Sequence, residues 1–176
     1  MQIEVVRSAR RHKTVHARLV GGVLRVRIPA AATAAEEAHY VRRMRERFHR
    51  GAAAAEVDLA ARAETLAARF HLPRPASVRW VSNQHTRWGS CTPGQRAVRI
   101  SERMAELPSW VLDAVLVHEL AHLAHPDHGP RWRELVERYS RMERANGFLL
   151  ALSWMGARED RHQGRQTDRQ EDPPGS

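Results

Sequence analysis

The chain has 176 residues, 42% of them hydrophobic, enough for one domain with a core of its own and a short tail. Its formal charge of +9 is almost all arginine, since Lys13 is the single lysine; this admits weak electrostatic association with nucleic acid, yet no nucleic-acid-reading motif is present. No apolar run approaches the ~20 residues that span a bilayer. The single cysteine, Cys91, excludes an internal disulfide, and the opening MQIEVVRSARRHK lacks the apolar middle of a signal peptide, so the expected location is the cytoplasm, with no membrane partner.

Residues 15–28 read as a hairpin, with Ile3 to Arg7 as a further short strand. Gly21-Gly22 is a two-residue turn signal; pairing Val20 with Val23 sets Leu19 opposite Leu24, Ala17 opposite Val26 and Val15 opposite Ile28 on one face, with Arg18, Arg25 and Arg27 on the other. Pro29 ends the strand. Thr33 with Glu36 forms a capping box opening a helix through about residue 50, and Gly51 separates it from an alanine-rich helix with Leu59, Leu66 and Phe70 that stops before Pro73. Strands are expected at SVRWV (77–81) and AVRIS (97–101), joined by the loop NQHTRWGSCTPGQ.

Next comes a helix capped by Ser109 and apolar nearly all round, as expected of a helix in the middle of a fold. His118-Glu119 interrupts it where burial should be deepest, and such a conflict between pattern and polarity marks function. An amphipathic helix follows from Pro130 to about Ala145, closed by Asn146-Gly147. Residues 157–176 are polar and unperiodic and are expected to form a disordered tail. The expected organisation is a single α+β domain over 1–156: a hairpin region (1–30), two helices (31–72) and a metal-site core (73–156).

The stretch HELAHLAHPDHGPRW, 118–132, holds four histidines. His118 and His122 are four apart on a helix, so their rings share a face and can converge on one ion at ~2.1 Å. Glu119 then stands where a general base for a metal-activated water belongs, the HExxH pattern. A tetrahedral site open to water needs a third ligand. His125 lies seven residues from His118, a rise of ~10.5 Å, which with His122 between would line the rings up rather than form a tetrahedron. The third ligand must come from chain that has turned back, and Pro126, Asp127 and Gly129 supply that turn around His128. Glu134 or Glu137 from the following helix is the rival ligand. His125 is expected to hydrogen-bond another group or face the cleft, and His85, Arg87, His125 and Tyr139 are the candidates for steadying an oxyanion. Three imidazoles suit zinc, and also copper, nickel and iron.

The spacing of His118, His122 and His128 matches HExxHxxGxxH of the metzincins, but His125 replaces their turn glycine and no Met-turn follows, so membership is rejected. Three ordered segments resemble the YgjP-like metallopeptidase family: RWGSC (87–91), LPSWVLDAVLVHELAHL (107–123) and HPDHGPRW (125–132), with RSARRHKTVHARLVGGVLRVRIP similar to its opening hairpin. The HELAH…HG pattern is also similar to SprT-like zincins. The resemblance implies a small zincin-like fold, with an N-terminal hairpin, a short antiparallel or mixed sheet and a central HExxH helix followed by another. It implies zinc held by His118, His122 and His128, and Glu119 as base. It also implies Leu-Asn where this chain has Ile100-Ser101.

The expected function is therefore a zinc-dependent hydrolase, a metallopeptidase acting on a peptide or protein. Its rivals are a zinc hydrolase of a nucleotide or phosphate ester, and a basic DNA-associated module with structural zinc. Cys91 is expected to be a buried neutral thiol rather than a nucleophile.

Overall fold

Gly21 and Gly22 both take positive φ, 57° and 81°, the backbone a tight hairpin turn requires. The computed structural model describes residues 1–10, 12–84 and 86–168. The turn joins β2 (His16–Val20) to β3 (Val23–Pro29), paired antiparallel in the expected register from Val20↔Val23 to Ala17↔Val26. The ladder begins at His16, so Val15 packs against the core without a strand partner. Strand β1 (Gln2–Ser8) joins the other side of β3, running parallel to it. Leu24, Val26 and Ile28 of this middle strand are fully buried, whereas Leu19, at the end of edge strand β2, stays 54% exposed.

Helix α1 (Ala34–Ala55) packs on β3 and closes this core with Met44. Its capping box forms as expected: Glu36 N–H donates to the Thr33 hydroxyl at 3.2 Å and Thr33 N–H donates to the Glu36 carboxylate at 2.8 Å. Those hydrogen bonds to its charged form hold the Glu36 carboxyl below the usual range. The helix runs through Gly51, because Ala52 to Ala55 are strong helix formers and one glycine costs only about 1 kcal/mol. The break falls instead after Ala55. These elements form one compact unit, Met1–Asp58, and the rest a second, Leu59–Ser176, where one domain over 1–156 was expected.

The second unit begins with α2 (Leu59–Phe70) and holds a three-stranded mixed sheet: β4 (Ser77–Val81), β5 (Gly89–Thr92) and β6 (Ala97–Ser101), ordered β4-β6-β5. Strands β4 and β6 are parallel neighbours; β5, read from sequence as loop, pairs antiparallel with β6. Helix α3 (Ser109–Ala121) is the spine, with Val111, Leu116, Val117 and Leu120 at 0% exposure beside Val98 and Ile100 of β6. Pro108 is its N-cap, and Ser109 already lies inside the helix with no side-chain cap bond. Arg62 of α2 pairs with Asp113 of α3 at 2.6 Å.

The expected helix from Pro130 to about Ala145 is two: α4 (Pro130–Glu137) and α5 (Met142–Asp168). The chain bends at Tyr139, whose hydroxyl donates to the Trp110 carbonyl at 2.9 Å and whose ring meets Phe70 edge-on. Asn146 and Gly147 do not end α5, because Ala145 and Leu149 are buried and Phe148 packs edge-on against Trp110. The helix also continues past residue 157, where an unstructured tail was expected; Arg, Glu and Gln are good helix formers and let a helix anchored by packing run on. Residues 169–176 lie outside the described residues. Among those described, no helix is long and apolar enough to cross a membrane. The architecture is the expected α+β, zincin-like one: among the described residues two small mixed sheets and five α-helices, with the HExxH helix central in its unit.

Candidate metal centre

His118 and Glu119 lie in the last turn of α3, and His122 is its C-cap. The backbone then leaves the helix, with His125 N–H donating to Ala121 O at 3.0 Å, and Pro126 ends any continuation. In the loop, Gly129 N–H donates to the Asp127 carboxylate at 3.3 Å, and Pro130 starts α4. This turn carries His128 back over the end of α3. The ring nitrogens converge: His118 Nε2 lies 3.2 Å from His122 Nε2 and 3.4 Å from His128 Nε2. Nitrogens on a tetrahedral ion with bonds of ~2.0–2.1 Å are separated by about 3.4 Å, the spacing His118 keeps to both partners, and all three ligand atoms lie within 4.8 Å of one another.

Protonation agrees with that fit. His122 Nδ1 sits 3.0 Å from the His125 carbonyl, which only accepts, so the proton is on Nδ1 and Nε2 presents its lone pair to the cluster. His125 thus acts through its backbone, and its imidazole does not line the cavity. Burial pushes His118 down to about 4, helped by the neighbouring His122 and His128, and burial also lowers His122. Both are neutral at physiological pH, as ligands must be. Glu134 is paired with Arg138 at 3.7 Å, and among the described residues neither it nor Glu137 joins the cluster.

Glu119 is 7% exposed, and burial raises its carboxyl to about 7 against the pull of Arg87. Strand β5 lies directly on it. A Cβ added at Gly89 would fall 2.7 Å from Glu119 Oε1 and 3.0 Å from Val115 Cγ1, so this position has no room for a side chain. Cys91 on the same strand is raised to about 11 by burial and then by the Glu119 charge, which keeps the thiol neutral as expected. The loop before β5 is tied down by buried Ser101: its N–H donates to Trp88 O at 2.9 Å and its hydroxyl to Gln84 O at 3.1 Å. Position 101 therefore keeps a polar role with serine where the resemblance implies asparagine.

A cavity of about 640 Å³ opens over this cluster, walled by Trp88 to Cys91 on one side and by Asn146, Leu149 and Leu150 of α5 on the other. Arg87 lines it and is exposed. Tyr139 does not reach the cavity; its hydroxyl is committed to Trp110. His85 lies outside the described residues. Sequence reasoning missed two residues. Gly89, within the stretch expected to be loop, lies against Glu119, and Trp132, within the amphipathic helix expected from Pro130, packs against all three histidines.

The model of the YgjP-like, metallopeptidase domain matches residues 9–145. The chain belongs to this family. No curated protein and no solved structure matches it significantly. The YgjP-like match takes in β5, α3, the His128 loop and α4, and so contains the whole histidine cluster with Glu119. It ends just before Asn146, so Asn146, Leu149 and Leu150 of the cavity wall lie outside the matched residues.

Proposed function

We propose that this YgjP-like protein is a zinc-dependent peptidase in which His118, His122 and His128 hold the ion through Nε2 and Glu119 is the general base. The observation that carries this reading is the convergence of three imidazoles, their ligand atoms within 4.8 Å of one another, beside a buried carboxylate in an open cavity. When bound, zinc acidifies a water and polarises a carbonyl.

The chain's own groups do the rest. Glu119 accepts a proton from the attacking water as its oxygen bonds the peptide carbon, then passes it to the departing amine as the C–N bond breaks. A carboxyl with a pKa of about 7 is matched to both halves of that exchange. Among the described residues strand β5 pairs with β6 alone, and its other edge can pair with an extended peptide. Arg87, exposed at the cavity, is placed to steady negative charge on the carbonyl oxygen.

The test is metal content in protein purified without metal-affinity resin, with hydrolysis of an unfolded protein followed in parallel. Wild type and His125→Ala should hold near-stoichiometric zinc and His128→Ala should lose it, because His125 contributes a carbonyl that alanine retains. Glu119→Gln should keep zinc and lose hydrolysis; activity surviving in that variant rejects the mechanism. The exposed Arg87 favours one rival, a phosphate-ester hydrolase, so a nucleotide panel with chelator controls belongs in the assay. Turnover there, and none of protein, would replace the peptide substrate.

A further inference from the structure

Trp132 closes one side of the histidine cluster. It lies one turn beyond His128, two residues into α4, where the fixed φ of Pro130 sets the direction of the helix. Its ring centroid is 4.4 Å from that of His128 and 4.7 Å from that of His118, both edge-on, and 5.3 Å from that of His122, stacked at 25°. One side chain therefore touches all three imidazoles. They differ in what else holds them. His118 is embedded in the central helix and His122 is bonded to the His125 carbonyl, but His128 is exposed on a loop. Among the described residues, the rings that pack against His128 are His118, His122 and Trp132.

From this we infer that Trp132 is a positioning residue that assembles the three imidazoles in ligand geometry before an ion arrives. The inference rests on the metal-site reading above. Three free imidazoles would each lose rotamer freedom on binding, and a wall that has already ordered them removes much of that loss. The indole Nε1–H is buried without an acceptor. A phenyl ring would fill space with no donor to strand, so the site uses the breadth of the bicyclic ring, which reaches three partners at once. The three histidines line the cavity and Trp132 does not, so the indole packs on them from outside it.

The experiment is a titration of the full chain with Zn²⁺ against a chromophoric chelator, and with Co²⁺ followed by visible absorption, in wild type, Trp132→Phe and Trp132→Ala. Loss of a group that orients metal ligands typically weakens binding ~10–100-fold. Zinc affinity should fall by about that much, more in Trp132→Ala than in Trp132→Phe, and the cobalt bands should shift or lose intensity as the tetrahedron loosens. Wild-type zinc affinity and an unchanged cobalt spectrum in both variants, with only thermal stability reduced, would make Trp132 ordinary packing and overturn the inference. Should Trp132→Ala fail to fold, Trp132→Phe, which keeps an aromatic ring against the histidines, decides alone. A wild-type protein that binds neither metal overturns this inference and the metal-site reading together; binding equal in all three proteins overturns this inference alone.

Discussion

Gly89 and Glu119 are close enough that a single methyl group between them changes the chemistry. An alanine Cβ would lie 2.7 Å from the Glu119 carboxylate oxygen, and with Val115 3.0 Å away the carboxylate or the strand must move. A misplacement of about 1 Å in a reacting group can cost ~100-fold in rate. Gly89→Ala should therefore lower kcat by about that factor while zinc content stays unchanged, read by turnover and metal analysis on the same sample. The burial that defines Glu119 also has a pH signature in the metal-free protein. Its folded-state pKa of about 7 exceeds the unfolded value of 4.5, so its contribution to stability is complete below pH 4.5 and lost as pH rises through 7. A shift of that size corresponds to roughly 3 kcal/mol at most. Glu119→Gln should then be more stable than wild type above pH 7 and gain little at pH 4. His118, lowered to about 4, contributes with the opposite sign between pH 6.5 and 4, but it is present in both proteins and cancels in the comparison. Urea denaturation of the two metal-free proteins across pH checks this, and an equal gain at every pH would reject it.

Elements were legible wherever pattern and packing agreed. The Gly21-Gly22 turn and the alternation of Leu24, Val26 and Ile28 fixed a register that the fold keeps. The all-round apolar character of α3 announced its burial, and the one polar interruption in it announced the site. Strand β5 was not legible, because Gly-Ser-Cys-Thr has neither alternation nor β-branched weight before its last residue. It is a strand because β6, fully buried at Val98 and Ile100, gives it a ladder to complete. The bend between α4 and α5 was hidden for a related reason: helical periodicity runs on through Tyr139, and a tertiary hydrogen bond to Trp110 is what holds the turn. Tertiary bonds of this kind should be measurable. Ser101→Ala removes the buried hydroxyl that donates to the Gln84 carbonyl behind β5, and a buried acceptor left unpaired costs about 1–3 kcal/mol. Chemical denaturation should show a loss in that range. A variant as stable as wild type would mean that the loop stands without this bond.

At the scale of the whole chain, all the proposed ligands belong to one unit. His118 and His122 sit at the end of α3 and His128 on the loop that leads into α4, so a bound ion cross-links the spine of the second unit to the segment that follows it. A ligand that binds only the folded state stabilises it by about 4 kcal/mol when present at a thousandfold excess over its Kd. The first unit supplies none of the three histidines and keeps its own core around Leu24, Val26, Ile28 and Met44. Stripping zinc with a chelator should therefore speed amide hydrogen exchange across residues 118–137 and leave β1, β2 and β3 unchanged. Mass-resolved exchange with and without chelator makes the comparison within one sample. A change confined to the second unit would fit a local cross-link; an equal change in both units would mean that the ion stabilises the two as a single cooperative body. That outcome would also predict one thermal transition moving with zinc concentration, in place of one that moves and one that does not.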